Sequence, residues 1–129
     1  MRLALLSVLV PDYDAGIAFF VGVLGFDLLE DTALGDGKRW VRVAPTGGGT
    51  AFLLAKAVGD QRAHIGRQGG GRVWLFLETD DFARDHAALT ARGLAFQEAP
   101  RHEPYGTVAV FADPFGNRWD LIAFSDRSR

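Results

Sequence analysis

Residues 14–26, with the sequence DAGIAFFVGVLGF, decide the fold of this chain. Four apolar residues recur at the spacing that places side chains on one face of a helix: Ile17, Phe20, Val21 and Leu24. Asp12 or Asp14 can accept hydrogen bonds from the free N–H groups of the first helical turn. Gly25 tolerates the positive φ at which helices commonly end. The stretch therefore predicts a helix that is followed at once by a strand.

The residues on either side of this helix have the pattern of strands. Residues 3–10 are short, apolar and rich in strand formers, which is typical of a buried strand. Residues 26–34 and 39–44 flank Gly35-Asp36-Gly37, a hairpin signal, and residues 50–55 are a further strand candidate. The first half of the chain therefore predicts the order β-α-β-β-β.

The second half starts after a polar, glycine-rich segment, residues 58–71, which we interpret as a linker. Residues 72–79 predict a strand, and Asp80-Asp81 can cap a helix that runs to Arg92 and stops at Gly93. Three more strand candidates follow, at residues 94–98, 107–112 and 118–124. The second half thus predicts the same order of elements as the first.

The two halves align at one constant offset of 68 residues. The matching pairs are Asp12 with Asp80, Gly25-Phe26 with Gly93-Leu94, and Val43-Ala44 with Phe111-Ala112. The alternative is two unrelated αβ segments that both end a helix with glycine. Three coincident landmarks favour duplication of a βαβββ module, with module one at about 1–57 and module two at about 72–125.

Composition narrows the class of protein. The chain has 129 residues, of which 48% are hydrophobic, enough for one domain with a real core. Its net charge of −2 argues against a nucleic-acid or anionic-membrane partner. It contains no cysteine, so disulfides, thiolate metal sites and cysteine nucleophiles are excluded. We find no signal-peptide pattern and no membrane-spanning run, so cytoplasmic residence is the default expectation.

Two phrases carry a family resemblance that spans residues 3–124. One is the helix phrase above, an aspartate followed by Phe19-Phe20 and then Leu24-Gly25-Phe26; the other is Asp113-Pro114-Phe115-Gly116-Asn117, which leads into the last strand. Both resemble signatures of the vicinal-oxygen-chelate superfamily, which includes glyoxalases, bleomycin resistance proteins and extradiol dioxygenases. The resemblance implies an α+β fold in which two βαβββ modules form curved mixed sheets around a cleft. The whole chain, residues 1–129, is then a single domain.

Metal-dependent members of that superfamily place ligands on the first and last strand of each module, usually His and Glu. In this chain those positions fall on Leu5, on one of Phe52, Leu53 or Leu54, on Trp74, and on Asp120. Only Asp120 has a donor, whereas a protein zinc site usually has at least three protein ligands. We therefore expect no metal and no cofactor. A relocated metal site built from His102, Glu78 and Asp120 is the alternative.

Strand alternation predicts which other residues face the cleft. Trp74, Phe76 and Glu78 share one face of their strand, and Trp40 and Arg42 share one face of another. Residues 100–107 are a loop or an edge, and they either recognise a ligand with polar side chains or form a solvated hairpin turn. The expected cleft residues are Trp40, Arg42, Phe52, Trp74, Phe76, Glu78, His102, Tyr105 and Asp120. An aromatic lining with a few polar groups is typical of a small-molecule site, although the same aromatics could instead fill the cleft as a dimer core.

Three functions are compatible with these residues. The first is binding of a small aromatic or amphipathic molecule in a metal-free cleft, as the antibiotic-sequestering members of the superfamily do. The second is a lyase, isomerase or dioxygenase that uses Asp120, Glu78 or His102 as acid–base groups or as a relocated metal site. The third is an interaction module without a ligand. The resemblance also implies a homodimer, because single two-module chains of this superfamily usually complete their clefts across a dimer.

Overall fold

The computed structural model describes residues 1–126 and contains two compact units. The first unit is Met1–Ile65, and the second begins at Gly66. This boundary lies inside the predicted linker, whose residues Gly59–His64 form a 3-10 helix that belongs to the first unit. Residues 127–129, which the single-domain interpretation includes, lie outside the described residues.

The first unit is a β-α-β-β-β module with a four-stranded mixed sheet. Its elements are β1 (Leu5–Val10), α1 (Tyr13–Ile17), β2 (Asp27–Gly35), β3 (Lys38–Ala44) and β4 (Ala51–Lys56). The strand order is β1-β4-β3-β2, with β1 parallel to β4 and the other pairs antiparallel. The hairpin predicted at Gly35-Asp36-Gly37 joins β2 to β3.

The first helix begins where the sequence predicts but changes from an α-helix to a π-helix after its first five residues. Asp12 is the N-cap, and its side chain accepts a hydrogen bond from the backbone N–H of Ala15 at 2.7 Å. From Ala18 to Val23 the helix is a π-helix rather than the expected α-helix. Because the wider turn changes the angular spacing of side chains, the buried residues are Phe19, Phe20 and Leu24.

The core of the first unit lies between this helix and one face of the sheet. The rings of Phe20, Phe26 and Phe52 contact one another with centroids 5.6 to 5.9 Å apart. At Gly16 a Cβ would lie 2.9 Å from Leu54 Cδ1, so glycine lets α1 approach β4 closely. Phe52 and Leu54 therefore point toward the helix, and the opposite face of the sheet is open.

The second unit repeats the module. Its elements are β5 (Val73–Glu78), α2 (Phe82–Ala91), β6 (Arg101–Glu103), β7 (Gly106–Ala112) and β8 (Arg118–Phe124), with strand order β5-β8-β7-β6. Asp81 caps α2 by accepting the N–H of Arg84 at 3.1 Å. Strand β5 begins 68 positions after β1, and β7 begins 68 positions after β3. The structure therefore has the predicted α+β fold of two βαβββ modules.

One predicted strand is wrong. Residues 94–98 form only an isolated bridge between Phe96 and Phe111, and the edge strand is β6, inside the segment 100–107 that we described as a loop or edge. The Glu98 side chain accepts the N–H of Val110 at 3.3 Å, which occupies the donor that a continuing strand would use. Pro100 has no N–H to donate, so pairing with β7 resumes only at Arg101.

The turn before β8 is organised by the buried carboxylate of Asp113. Its Oδ1 accepts the backbone N–H groups of Phe115 and Asn117 at 3.0 and 2.9 Å. Its Oδ2 accepts the side-chain N–H groups of Asn117 and Trp119 at 3.0 and 3.1 Å. Gly66 packs against this turn so tightly that a Cβ would lie 2.0 Å from the carbonyl oxygen of Phe115. The Asp-Pro-Phe-Gly-Asn phrase is thus a structural motif in this chain.

Replacing Asp113 by alanine is expected to destabilise the fold by about 3 kcal/mol, because buried donors on Asn117 and Trp119 lose their acceptor. For a chain of this length that corresponds to a fall in Tm of about 10 °C, measurable by thermal denaturation. The matched control is Asp27→Ala at an exposed position of β2, which is expected to cost less than about 0.5 kcal/mol. Equal losses for the two variants would contradict the role of this turn.

Candidate functional site

One face of the second unit's sheet is covered by α2. The other face, which α2 does not cover and which we call the open face, carries four residues that are 0% to 7% exposed, Val108, Val110, Asp120 and Ile122. Phe111 and Trp119, which pair in register, stack with ring centroids 5.5 Å apart on the covered side. His86 of α2 stacks on Phe96 at 4.1 Å on that same side, away from the open face as expected. Asp120, next to Trp119, must therefore point to the open face. The strand pairings of Asp120 then show which other predicted site residues lie on the open face.

Asp120 lies at the centre of the open face. Its in-register neighbours are Phe76 on β5 and Val110 on β7. Glu78 pairs in register with Ile122 and therefore lies on the same face as Phe76, whereas a register shift between Val73 and Leu75 interrupts the alternation at Trp74. Phe76 is 61% exposed, Glu78 is exposed and Trp74 is half-buried. The strand pairing thus brings together three of the expected residues, Phe76, Glu78 and Asp120.

The carboxyl group of Asp120 is in an unfavourable environment. The residue is only 7% exposed, and within residues 1–126 its Oδ1 has no hydrogen-bond partner. The pKa of this carboxyl is raised above its ordinary value, and burial is the largest cause. The charge of Glu98 also raises the pKa, whereas the guanidinium groups of Arg101 and Arg118 lower it. A buried, unpaired acidic group on an open sheet face is a candidate for function.

A cluster of charged residues that we did not place in the site lies on the same face. Arg101 shares the face because it pairs in register with Val108, which is on the side of Val110. Its Nε lies 2.8 Å from both carboxylate oxygens of Glu98, and its Nη1 lies 3.2 Å from Glu103. These pairs could have been found only by recognising residues 101–103 as a strand.

His102 and Tyr105, the two expected site residues in the segment 100–107, lie in different parts of the β6–β7 hairpin. His102 pairs in register with Thr107, and its Nδ1 lies 3.2 Å from the Thr107 hydroxyl, on the side of the sheet that faces α2. It therefore lies opposite Asp120 rather than beside it. Tyr105 is in the turn between β6 and β7, where it is 40% exposed. The pKa of Arg101 is raised mainly by its hydrogen bond to Glu98 and, to a smaller extent, by a hydrogen bond with Tyr105.

The open face of the first unit carries Trp40 and Arg42, as alternation predicts. Trp40 is 37% exposed, and Arg42 Nε donates to Glu30 Oε1 at 3.0 Å, which lowers the pKa of Glu30. Phe52 points into the helix-side core, whereas Leu53 pairs in register with Arg42 and shares the open face. Leu53 therefore replaces Phe52 on this face.

A sequence model of the Glyoxalase/Bleomycin resistance protein/Dioxygenase superfamily matches residues 2–121. The chain belongs to this superfamily. An uncharacterized protein from Shewanella frigidimarina (strain NCIMB 400) is 48% identical over 125 residues, which cover 95% of this chain and 93% of the relative.

Solved structures of the superfamily are similar over nearly the whole chain. TnmS3, an antibiotic binding protein from Streptomyces sp. CB03234, is 36% identical with a TM-score of 0.78, covering 97% of both chains. A glyoxalase/bleomycin resistance protein from the same organism is also 36% identical, with a TM-score of 0.71, covering 94% of this chain and 99% of that one.

The residues at the superfamily's metal-ligand positions do not fit a divalent ion. Those positions carry Leu5 and Leu53 in the first unit, and Trp74 and Asp120 in the second. Among residues 1–126, no three His, Asp or Glu side chains are grouped so that they could hold a metal ion. We derive no catalytic step through a metal. None of the helices in this described part is long and apolar enough to cross a membrane.

Asp120→Asn is expected to stabilise the folded protein at neutral pH. The raised pKa of Asp120 means that the folded state disfavours the charged carboxylate, so wild-type stability falls as pH rises from 3.8 through the raised pKa. The gap in unfolding free energy between variant and wild type should therefore widen from pH 4 to 7, as measured by urea denaturation.

Glu30→Gln is the matched variant with the opposite sign. Its hydrogen bond to Arg42 lowers the pKa, so the carboxylate stabilises the folded state above pH 4.5 and loses this effect as pH falls through the lowered pKa. Glu30→Gln should thus be slightly less stable than wild type at pH 7, with a gap that narrows in acid. The same sign for both variants would show that burial does not govern Asp120.

Proposed function

We propose that the protein binds a small aromatic or amphipathic molecule on the open sheet faces, without a metal. The observation that carries this proposal is the open face of the second unit, where the exposed ring of Phe76 lies next to the buried Asp120. A large apolar ring beside one polar group is what small-molecule sites usually offer. Burial of one such ring against a ligand contributes about 1.5–3 kcal/mol.

The antibiotic-binding relative supports the same function. TnmS3, which is an antibiotic binding protein, is 36% identical to this chain over 97% of both chains. Sequestering a molecule needs contact surface but no reacting group. This requirement agrees with Leu5, Leu53 and Trp74 at positions where catalytic members of the superfamily have metal donors. The ligand class that we propose is therefore an antibiotic-like molecule with an aromatic system.

A second candidate function is a lyase or isomerase that uses acid–base chemistry. The observation that favours it is the raised pKa of Asp120, because a carboxyl that keeps its proton nearer neutral pH can act as a general acid. Glu78 lies on the same face and could act as a second proton carrier, whereas His102 lies on the other. The two functions differ in the fate of the ligand, which a binding protein releases unchanged.

The binding proposal is tested by titrating EDTA-dialysed protein with polycyclic aromatic antibiotics in a calorimeter. We expect binding without added metal, and an affinity about 10-fold lower for Phe76→Ala because one ring contact is lost. The control is Val58→Ala, which removes an exposed apolar side chain outside both sheets. A requirement for a divalent ion, or no binding by any compound, would overturn the proposal; chemically altered ligand would favour the enzyme.

We also propose that the protein is a homodimer. The edge strand β2 is nine residues long and exposes Leu28, Leu29 and Leu34, a feature that soluble proteins usually cover. Sedimentation at micromolar concentration should give twice the mass of the chain, and the double variant Leu28→Glu, Leu29→Glu should shift the equilibrium toward monomer. A monomeric wild-type protein at that concentration would contradict the proposal.

A further inference from the structure

The charges around Asp120 restrict what the open face of the second unit can accept. Two guanidinium groups, of Arg101 and Arg118, lie close enough to lower the pKa of Asp120. Arg101 is already held by Glu98 at 2.8 Å and by Glu103 at 3.2 Å. An anionic ligand would have to break these ion pairs before it could use Arg101. The face therefore offers no ready partner for a carboxylate at this point.

Arg118 is engaged in a different way. Its Nε donates to Gln97 Oε1 at 3.4 Å, and its Nη1 donates to the carbonyl oxygen of Gly71 at 3.5 Å. These long contacts direct the guanidinium toward the N-terminal end of β5. Asp120 is then left as a buried carboxylate whose Oδ1 accepts no hydrogen bond from any residue in the range 1–126. The free energy cost of such an unpaired acceptor is relieved when a donor reaches it.

We infer that the ligand is an aromatic molecule with a hydroxyl or amino group that donates a hydrogen bond to Asp120 Oδ1. Aromatic carboxylates are rejected. This inference rests on the proposed binding function and names the chemistry of its ligand. The ring of the ligand lies against Phe76, and the donor on the ring reaches Asp120, the in-register neighbour of Phe76.

Phe76 is the exposed in-register neighbour of Asp120. Of the two in-register neighbours, Val110 is 5% exposed and is fixed in the sheet core, whereas Phe76 is 61% exposed. Exposed side chains change rotamer within nanoseconds, so the Phe76 ring can swing aside and then close on the ligand. Phe76 thus contributes affinity for any aromatic ring, and Asp120 contributes selectivity for the donor.

The test uses three matched probes at pH 7: 2-naphthol, 2-methylnaphthalene and 2-naphthoate. A hydrogen bond to a charged acceptor corresponds to about a 10-fold gain in affinity or more, so wild-type protein should prefer 2-naphthol to 2-methylnaphthalene by about that factor. It should bind 2-naphthoate more weakly than either. Asp120→Leu should abolish the preference for 2-naphthol, and Asp120→Asn, which keeps an uncharged acceptor, should reduce it to about 3-fold.

Phe76→Ala is the complementary variant, expected to weaken 2-naphthol and 2-methylnaphthalene equally and leave their ratio unchanged. Val58→Ala, which removes an exposed apolar side chain outside both sheets, should change neither. Binding of 2-methylnaphthalene without a preference for 2-naphthol would overturn this inference and leave the binding function standing. The same holds if 2-naphthoate binds best, or if Asp120→Asn keeps the full preference. No binding of any of the probes would instead count against the proposed function itself.

Discussion

The hydrogen bonds that Asp113 accepts fix the direction of every side chain on β8. Trp119 donates its indole N–H to Asp113 Oδ2 at 3.1 Å, and its ring stacks on Phe111 on the side of α2. Since successive strand residues point to opposite faces, Asp120 is thereby held on the open face. A register slip by one residue would exchange the two faces and bury the wrong set of side chains. Because β8 pairs with both β5 and β7, this one turn positions the whole open face of the second unit.

Holding Asp120 at this buried position costs folding free energy. Burial raises the pKa of its carboxyl, and the neighbouring Arg101 cannot compensate fully because it is paired with Glu98 and Glu103. An apolar residue would be more stable at that position of a buried central strand. Proteins usually break such local rules where a site requires it. The aspartate is therefore better explained by a ligand than by the stability of the sheet.

Local signals in the sequence were sufficient for much of this fold. The capping aspartate Asp12, the hairpin at Gly35-Asp36-Gly37 and the constant offset between the modules each depend on nearby residues. The errors concern long-range pairing. Glu98, twelve residues before Val110, accepts the backbone N–H of Val110. The edge strand therefore lies at residues 101–103, and His102 points to the face opposite Asp120. Likewise only the pairing of Leu53 with Arg42 decides that Leu53, not Phe52, is on the open face.

The open faces explain how a superfamily of metal enzymes can include a chain with one remaining donor. The strands fix where each side chain points, so the same backbone positions can hold either metal ligands or apolar contacts. In this chain Leu53, on the open face of its sheet, is at one such position, and Trp74 is at another. Replacing donors by large apolar side chains removes Lewis-acid chemistry but adds surface on which an aromatic molecule can be desolvated. The remaining carboxylate, Asp120, keeps an oxygen without a hydrogen-bond partner among residues 1–126, and in the function that we propose this oxygen orients the ligand.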